Sequence, residues 1–345
     1  MTDVPAGPYR IDVHAHYLAP PYKKALQEAE MWLIGGIPVP EWTPELALEF
    51  MNAHGIAVQM LSVSDPAVQF VDGERAPALA RACNDYVAGV VSDHPGRFGA
   101  FAVLSMRDVG QACAEAARAL DDLRLDGVGL LSSYDGRYPG DPAFAPLLSE
   151  LNERGAWVMV HPASIAAELR PELSVPGFIA EYPFDTTRAF MSLLFNGMFE
   201  AHPNIRWQFA HGGGTLPMLR ARLAAASAAA KEFGPFLGIP AGSALLSADS
   251  AHRALGASFY DTALIADPPA LQAVAAVADQ GHLLFGSDWP FAARMYAPDG
   301  DPQPALREVF TGEELRAVEC AGAIAQFEHL AGHLGLPQRR GDGQA

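Results

Sequence analysis

Lysine is scarce in this chain of 345 residues, with only Lys23, Lys24 and Lys231, and no run of basic side chains occurs. Acidic residues outnumber basic ones by 40 to 23, leaving a formal net charge of −17. A surface of that sign repels phosphate backbones and anionic headgroups, so nucleic acid and membrane surfaces are poor partners. Cysteine is equally sparse: Cys83, Cys113 and Cys320 are odd in number, scattered and never spaced as CxxC. That pattern suits reduced packing thiols better than disulfides or a zinc knuckle. Long apolar runs are missing too. Stretches such as Leu223 to Ala230 are short and alanine-rich, well under the roughly 20 residues that span a bilayer. The opening residues MTDVPAGPYR lack a basic region followed by an apolar one, so no secretory signal is expected and the cytoplasm is the expected compartment.

What is present is apolar mass. Half of the residues are hydrophobic, ample for one large core and within the span of a single α/β barrel. Residues 1–335 are read as one domain, and the tail 336–345, polar and glycine-rich, as disordered. Eight short runs rich in β-branched or aromatic residues alternate with helical segments, which is the pattern of parallel βα units. They are Arg10 to Val13, Val58 to Val63, Phe98 to Leu104, Gly127 to Leu131, Ala156 to Val160, Ile205 to Ala210, Ser258 to Asp261, and His282 to Phe285. The expected fold is a (β/α)8 TIM barrel, distorted by loop insertions at its C-terminal face.

Local signals punctuate the intervening helices. Thr43-Pro44-Glu45 opens one with an N-cap, a first-turn proline and an early acid, and it ends near His54-Gly55. Asp141-Pro142 opens another that runs to Arg154-Gly155, where glycine supplies the left-handed cap. Three segments break the rhythm: Met31 to Trp42, Ser164 to Tyr182, and Phe233 to Leu255. The first two follow strands one and five and are expected as loops over the mouth, where barrel enzymes bind substrate.

Four of the eight expected strands end in a side chain that can hold a metal. Strand one ends in His14-Ala15-His16, strand five in His161, strand six in His211, and strand eight runs into Asp288. Residues i and i+2 of a strand share a face, so His14 and His16 can converge on one ion. Barrel closure brings the ends of strands five, six and eight round the same mouth. Taken singly, each histidine has a bland reading as a satisfied buried side chain; four imidazoles and a carboxylate at strand ends are hard to produce by packing alone. His54 and His202 follow helices in HG and HP turns and are read as caps or solvent-exposed residues. His94 and His282 receive no role. Trp289 and Phe291, directly after Asp288, are candidates for a substrate wall, with core packing the alternative.

The runs IDVHAHYLAP, VMVHPAS, AHGGGTLP and FGSDWPF resemble the amidohydrolase superfamily, and within it the branch of non-oxidative decarboxylases related to aminocarboxymuconate semialdehyde decarboxylase. GIPVPEWTPE, GVGLLSSYDGRYPGDPAF and ELNERGAWVMVHP are most similar to the 6-methylsalicylate decarboxylase type. The resemblance implies one divalent ion per chain, zinc or manganese, held by His14, His16, His161 and Asp288. It implies His211 beside that ion and catalytic roles for His211 and Asp288. Two-metal members of the superfamily carry a carboxylated lysine at the end of strand four, whereas this strand ends in Leu130-Leu131-Ser132-Ser133. Arg222 matches an arginine that the semialdehyde decarboxylases lend to a neighbouring subunit, which implies a homodimer or larger assembly; a solvated helix face is the alternative.

The same enzymes bind a substrate carboxylate with an arginine in the loop after strand one, and Met31 to Trp42 contains none. It offers Met31, Trp32, Leu33, Ile34 and Trp42 instead, an apolar lining suited to an aromatic ring bearing one carboxylate. The expected activity is decarboxylation of a small ortho-hydroxy aromatic acid, with Asp288 delivering the proton to the ring carbon and Trp42, Trp289, Phe291 and Arg222 as candidate substrate contacts. The competing expectation is a hydrolase acting on a lactone, amide or C–C bond through activated water.

Overall fold

The computed structural model describes residues 9–165, 173–237, 246–247, 249–327 and 329–330. Eight strands carry the architecture: β1 (Arg10–His16), β2 (Ile56–Ser62), β3 (Phe98–Val103), β4 (Gly127–Leu131), β5 (Trp157–His161), β6 (Arg206–Phe209), β7 (Phe259–Asp261) and β8 (Leu283–Leu284). All are parallel and neighbour one another in chain order. Beyond β8 the chain returns to β1, where Val13 N–H donates to the Phe285 carbonyl at 2.9 Å and Ala15 bridges Trp289. With helices between successive strands, this is a (β/α)8 barrel. Each of the eight expected runs is a strand, because buried parallel strands read as near-continuous apolar segments.

The caps behave as their chemistry requires. Thr43 Oγ1 accepts from Leu46 N–H at 3.3 Å at the start of helix Pro44–Ala53. Asp141 accepts from Ala143 N–H at 2.8 Å, though the turn it opens is a short 3-10 turn before helix Ala145–Glu153. Three expectations are corrected. Met31 to Trp42 contains a small antiparallel hairpin, Leu33–Ile34 with Ile37–Pro38, turned by Gly35 and Gly36 at positive φ. The segment after β5 turns helical at Gly177, and helix Gly177–Phe195 carries Pro183 in its second turn, where proline removes the N–H that would bond to the Ile179 carbonyl. The connector expected over Phe233 to Leu255 is shortened by helices Leu216–Leu237 and Ser250–Ala257. The 336–345 tail lies outside the described residues. No helix among the described residues is long and apolar enough to cross a membrane.

One buried cluster fills the space between sheet and helices, and a second joins Phe101, Trp157 and Met159 to Ala323, Phe327 and Leu330 of the C-terminal segment. Phe327 packs 4.9 Å from Trp157, the first residue of β5, and so closes the N-terminal end of the barrel. A buried ionic network fastens the same end. Arg10, which opens β1, donates to Glu319 at 2.9 and 3.0 Å and to the His54 carbonyl at 2.8 Å. Removing Glu319 takes charge-assisted hydrogen bonds from Arg10 and Arg307 while Asp301, 3.1 Å from Arg10, still faces that guanidinium, so Glu319→Ala is expected to cost roughly 1.5–3 kcal/mol. Urea unfolding should show that loss undiminished at high salt, since a buried pair is poorly screened; a loss below about 1 kcal/mol, or one that vanishes with salt, rejects the assignment.

Candidate metal centre and substrate cavity

His14 and His16 belong to β1, His161 ends β5, His211 follows β6 and Asp288 follows β8, so all five side chains reach the C-terminal end of the barrel. The structure brings them together. His14 Nε2 lies 3.2 Å from His16 Nε2, and Asp288 Oδ1 lies 3.0 Å from His16 Nε2 and 3.7 Å from His14 Nε2. One donor atom from each of His14, His16, His161 and Asp288 fits within 4.8 Å of all the others. The His211 ring stands 4.8 Å from that of His14 and 5.9 Å from that of His161. All five are buried.

The opposite edge of each ring is anchored. His161 Nδ1 donates to the Pro162 carbonyl at 2.8 Å and His211 Nδ1 to the Ala263 carbonyl at 3.1 Å. Ser62 Oγ donates to the Ala15 carbonyl at 3.3 Å, which frees its lone pairs for His16 Nδ1 at 3.0 Å. His14 Nδ1 lies 3.1 Å from Asp261 Oδ2, without the alignment of a linear hydrogen bond. A ring whose Nδ1 carries the proton presents a lone pair at Nε2, the form in which imidazole ligates a metal. These tautomers follow from the acceptors each ring meets.

Electrostatics favour the neutral ring at His16, His161 and His211 and the proton at His14. Burial, followed by repulsion from neighbouring imidazoles, lowers His161 far below the usual histidine range and lowers His16 and His211 too. Burial also opposes charge on His14, yet Asp261, Asp288 and Asp12 outweigh it and lift this ring to about 9. Burial raises Asp288 and Asp261, but the surrounding imidazoles prevail and hold both carboxylates below their ordinary value. A buried pocket with two ionised carboxylates and facing nitrogen lone pairs favours a cation.

Two acids that build this arrangement went unassigned in the sequence. Asp12 accepts from His14 N–H (3.1 Å), Gln59 Nε2 (3.0 Å), Ser287 N–H (2.9 Å) and Ser287 Oγ (2.5 Å), joining β1, β2 and the segment after β8. Burial still pushes its carboxyl up to about 6. Asp261, which ends β7, accepts from Gln208 Nε2 at 3.0 Å and from His211 N–H at 3.0 Å. Signals for both were present: Asp12, His14 and His16 alternate along one strand, and Asp261 ends a strand as His161 does. A third acid, Asp185 of helix Gly177–Phe195, accepts the hydroxyls of Ser132, Ser133 and Tyr138 where β4 ends.

The backbone is strained at two of these positions. His211 and Asp288 both have φ of +55°, uncommon outside glycine. Bonds from His211 N–H to Asp261 and from Asp288 N–H to the His14 carbonyl (2.7 Å) hold them there. Glycine is required just beyond His211, since a Cβ on Gly214, at φ +66°, would sit 2.0 Å from the Pro183 carbonyl oxygen.

A cavity of about 870 Å3 opens on the cluster, with His161 and Asp288 in its wall. Trp289 and Phe291 line it; Trp289 stacks on Phe50 at 5.4 Å and Phe291 meets the His16 ring edge at 5.6 Å. Trp42 does not line it. Only 2% exposed, Trp42 packs between Tyr17 and Tyr86, because helix Pro44–Ala53 draws it into the core. Trp32 and Leu33 turn outward to solvent, and from the hairpin region Ile34, Ile37 and Val39 form the apolar wall instead. Arg222 is exposed on helix Leu216–Leu237 and does not line the cavity of its own chain. His54 and His202 do cap helices but are buried, His54 with its ring 4.4 Å from Phe50. Tyr182 reaches the cavity wall and donates to the buried Asp65 at 2.9 Å, another contact the sequence left unassigned.

The fold and the site define a (β/α)8 barrel with a buried histidine–carboxylate centre at the mouth of its strands. The chain belongs to the amidohydrolase family, whose pattern matches residues 11–321. It is 34% identical over 342 residues to the 6-methylsalicylic acid decarboxylase of Penicillium expansum, covering 94% of this chain and 98% of that protein. A 6-methylsalicylic acid decarboxylase of Aspergillus aculeatus is 36% identical over 293 residues, with 83% and 85% covered. Among solved structures, the 5-carboxyvanillate decarboxylase of Novosphingobium aromaticivorans, complexed with manganese and 4-hydroxy-3-methoxy-5-nitrobenzoic acid, superposes with a TM-score of 0.79 at 19% identity, covering 93% of this chain and 96% of that one. At that identity the likeness speaks for the fold.

Proposed function

We propose that this protein is a metal-dependent, non-oxidative decarboxylase of a small aromatic acid with a hydroxyl ortho to its carboxylate, 6-methylsalicylate being the first to try. The observation that carries the reading is the buried set of three imidazoles and one carboxylate, with His211 beside it, opening on a largely apolar cavity. Full-length relatives named as 6-methylsalicylic acid decarboxylases support it.

The residues fit a divalent cation: His14, His16 and His161 offer Nε2 and Asp288 offers a carboxylate oxygen, one ion per chain, manganese or zinc. Such an ion would supply positive charge that holds the anionic end of the substrate and favours the phenolate. Asp288 takes the phenolic proton as substrate enters and returns it to the ring carbon that bears the carboxylate. The bond to that carboxylate then breaks, its electron pair restores the aromatic ring, and carbon dioxide leaves. His211, fixed through Ala263 and Asp261, holds the substrate oxygen and the charge that develops on it. Trp289 and Phe291 bound the ring, and the apolar wall excludes water.

Three further elements belong to this reading. The unpaired Cys83, Cys113 and Cys320 suit a reducing cytoplasm. Asp288 and His211 are the catalytic pair. The working form is a homodimer or larger assembly in which exposed Arg222 serves a neighbour's site.

The reaction is tested by following carbon dioxide release from ortho-, meta- and para-hydroxybenzoates on manganese- and zinc-loaded protein. Turnover should be confined to the ortho isomer, because only an oxygen beside the carboxylate would reach the same charged centre in the transition state; equal rates for the three, or a preference for lactones, overturns the reading in favour of a hydrolase. For the site, His161→Ala should empty the metal by elemental analysis, whereas His211→Asn should retain metal and lose turnover by roughly 100-fold or more. Undiminished metal in the first, or full activity in the second, removes the corresponding role. For the assembly, mixing inactive Arg222→Ala and His161→Ala chains should restore activity; no recovery in mixed oligomers shown to form leaves Arg222 a surface residue.

A further inference from the structure

The cavity is much larger than a single ring needs. Its volume of about 870 Å3 lies near the top of the roughly 300–1,000 Å3 range of pockets that take drug-sized ligands. A benzoate with its carboxylate at His161 and Asp288 would fill only the inner end. Beyond it the cavity continues between the hairpin, helix Pro44–Ala53 and the 3-10 turn Ala293–Met295, where Ile37, Leu46, Phe50, Met295 and Pro298 form the wall. Leu46 and Met295 are 40% and 66% exposed. Large apolar side chains grouped in the open part of a ligand cavity mark a surface that is covered in use. Charge offers a second acidic group nothing there: of the exposed charged groups lining the same cavity, Glu41 is ion-paired with Lys23, which leaves Glu49 against Arg294 and no net positive charge.

We infer that the preferred substrate is an ortho-hydroxybenzoate with an apolar extension of several carbons on the ring edge remote from the carboxylate, seated against Leu46, Phe50 and Met295. This rests on the decarboxylase reading above. The acid end sits at the buried donor set, so the far ring edge faces the outer cavity, and each methylene placed there leaves water for an apolar wall.

The test measures carbon dioxide release from salicylate and from 4- and 5-alkylsalicylates with methyl to hexyl chains. In parallel, calorimetry follows binding of the 3- and 4-alkylphenols that would be their products. kcat/KM should rise roughly fourfold per methylene, as expected of a buried CH2, until the outer wall is reached, and phenol binding should tighten alongside. Leu46→Ser combined with Met295→Ser should flatten that slope. Rates that peak at methyl, together with phenol binding indifferent to chain length, overturn the inference while leaving the decarboxylase standing. If no acid is turned over but phenol binding still tightens with chain length, the apolar subsite stands and the chemistry falls. A flat slope with an oligomer that dissociates in the Leu46→Ser, Met295→Ser protein also overturns the inference, since a second copy then covers this wall.

Discussion

Barrel closure and site assembly are held by the same hydrogen bonds. Asp288 N–H donates to the His14 carbonyl at 2.7 Å, and beneath it the Asp12 carboxylate accepts from His14 N–H and from both the amide and the hydroxyl of Ser287. β1 alone can align His14 and His16, because alternate residues share a face, but it cannot supply the carboxylate on which they converge. That group comes from the far end of the chain and arrives only when β8 docks beside β1. A slip of one residue in that pairing would turn Asp288 or the two imidazoles away from the mouth. Asp12 opposes such a slip, since its hydrogen bonds to Ser287 exist in one register only.

The imidazoles are tuned by what lies behind them. Two rest on backbone carbonyls, one on a serine whose own hydrogen is already committed, and one against a carboxylate. The carbonyls fix a neutral ring with its lone pair inward, while Asp261 makes His14 the most basic of the four. Of the four rings, His14 is therefore the one that holds a proton most strongly. Asp261 acts twice, since its other oxygen accepts the His211 N–H. His14 and His211 thus share one buried anchor, and displacement at either is felt at the other.

Much of this was legible in the sequence because parallel barrel strands are buried on both faces and read as apolar runs whose ends are plain. Histidines at three such ends stand out against an apolar background. Isolated acids do not: Asp12, Asp261, Asp185 and Asp65 work through partners on other elements, and one sequence does not say which hydroxyl or amide each will meet. Aromatics were ambiguous for a related reason. Trp289 and Trp42 carry the same apolar surface, and only the path of the chain decides which faces the cavity; helix Pro44–Ala53 carries Trp42 inward, while the strained turn at Asp288 sets Trp289 along the mouth. The helical start at Gly177 was obscured because Pro176 and Pro183 both read as breakers, although one precedes the helix and the other falls early within it.

Stability and chemistry are separated along the barrel axis. The N-terminal end holds the Arg10–Glu319 network and the aromatic plug of Trp157 and Phe327, neither of which touches the cavity. The C-terminal end holds the costly features: left-handed backbone at His211 and Asp288, a run of three glycines with positive φ, and several imidazoles packed out of water. Backbone strain of order 1–3 kcal/mol per residue persists only where surrounding structure over-determines it. Here that structure consists of Asp12 and Asp261 below and helix Gly177–Phe195 alongside, whose Pro183 carbonyl presses on Gly214. The mouth can therefore differ in its hairpin and loops, and so in the acid it admits, without disturbing either the donor set or the end of the barrel that keeps the chain folded.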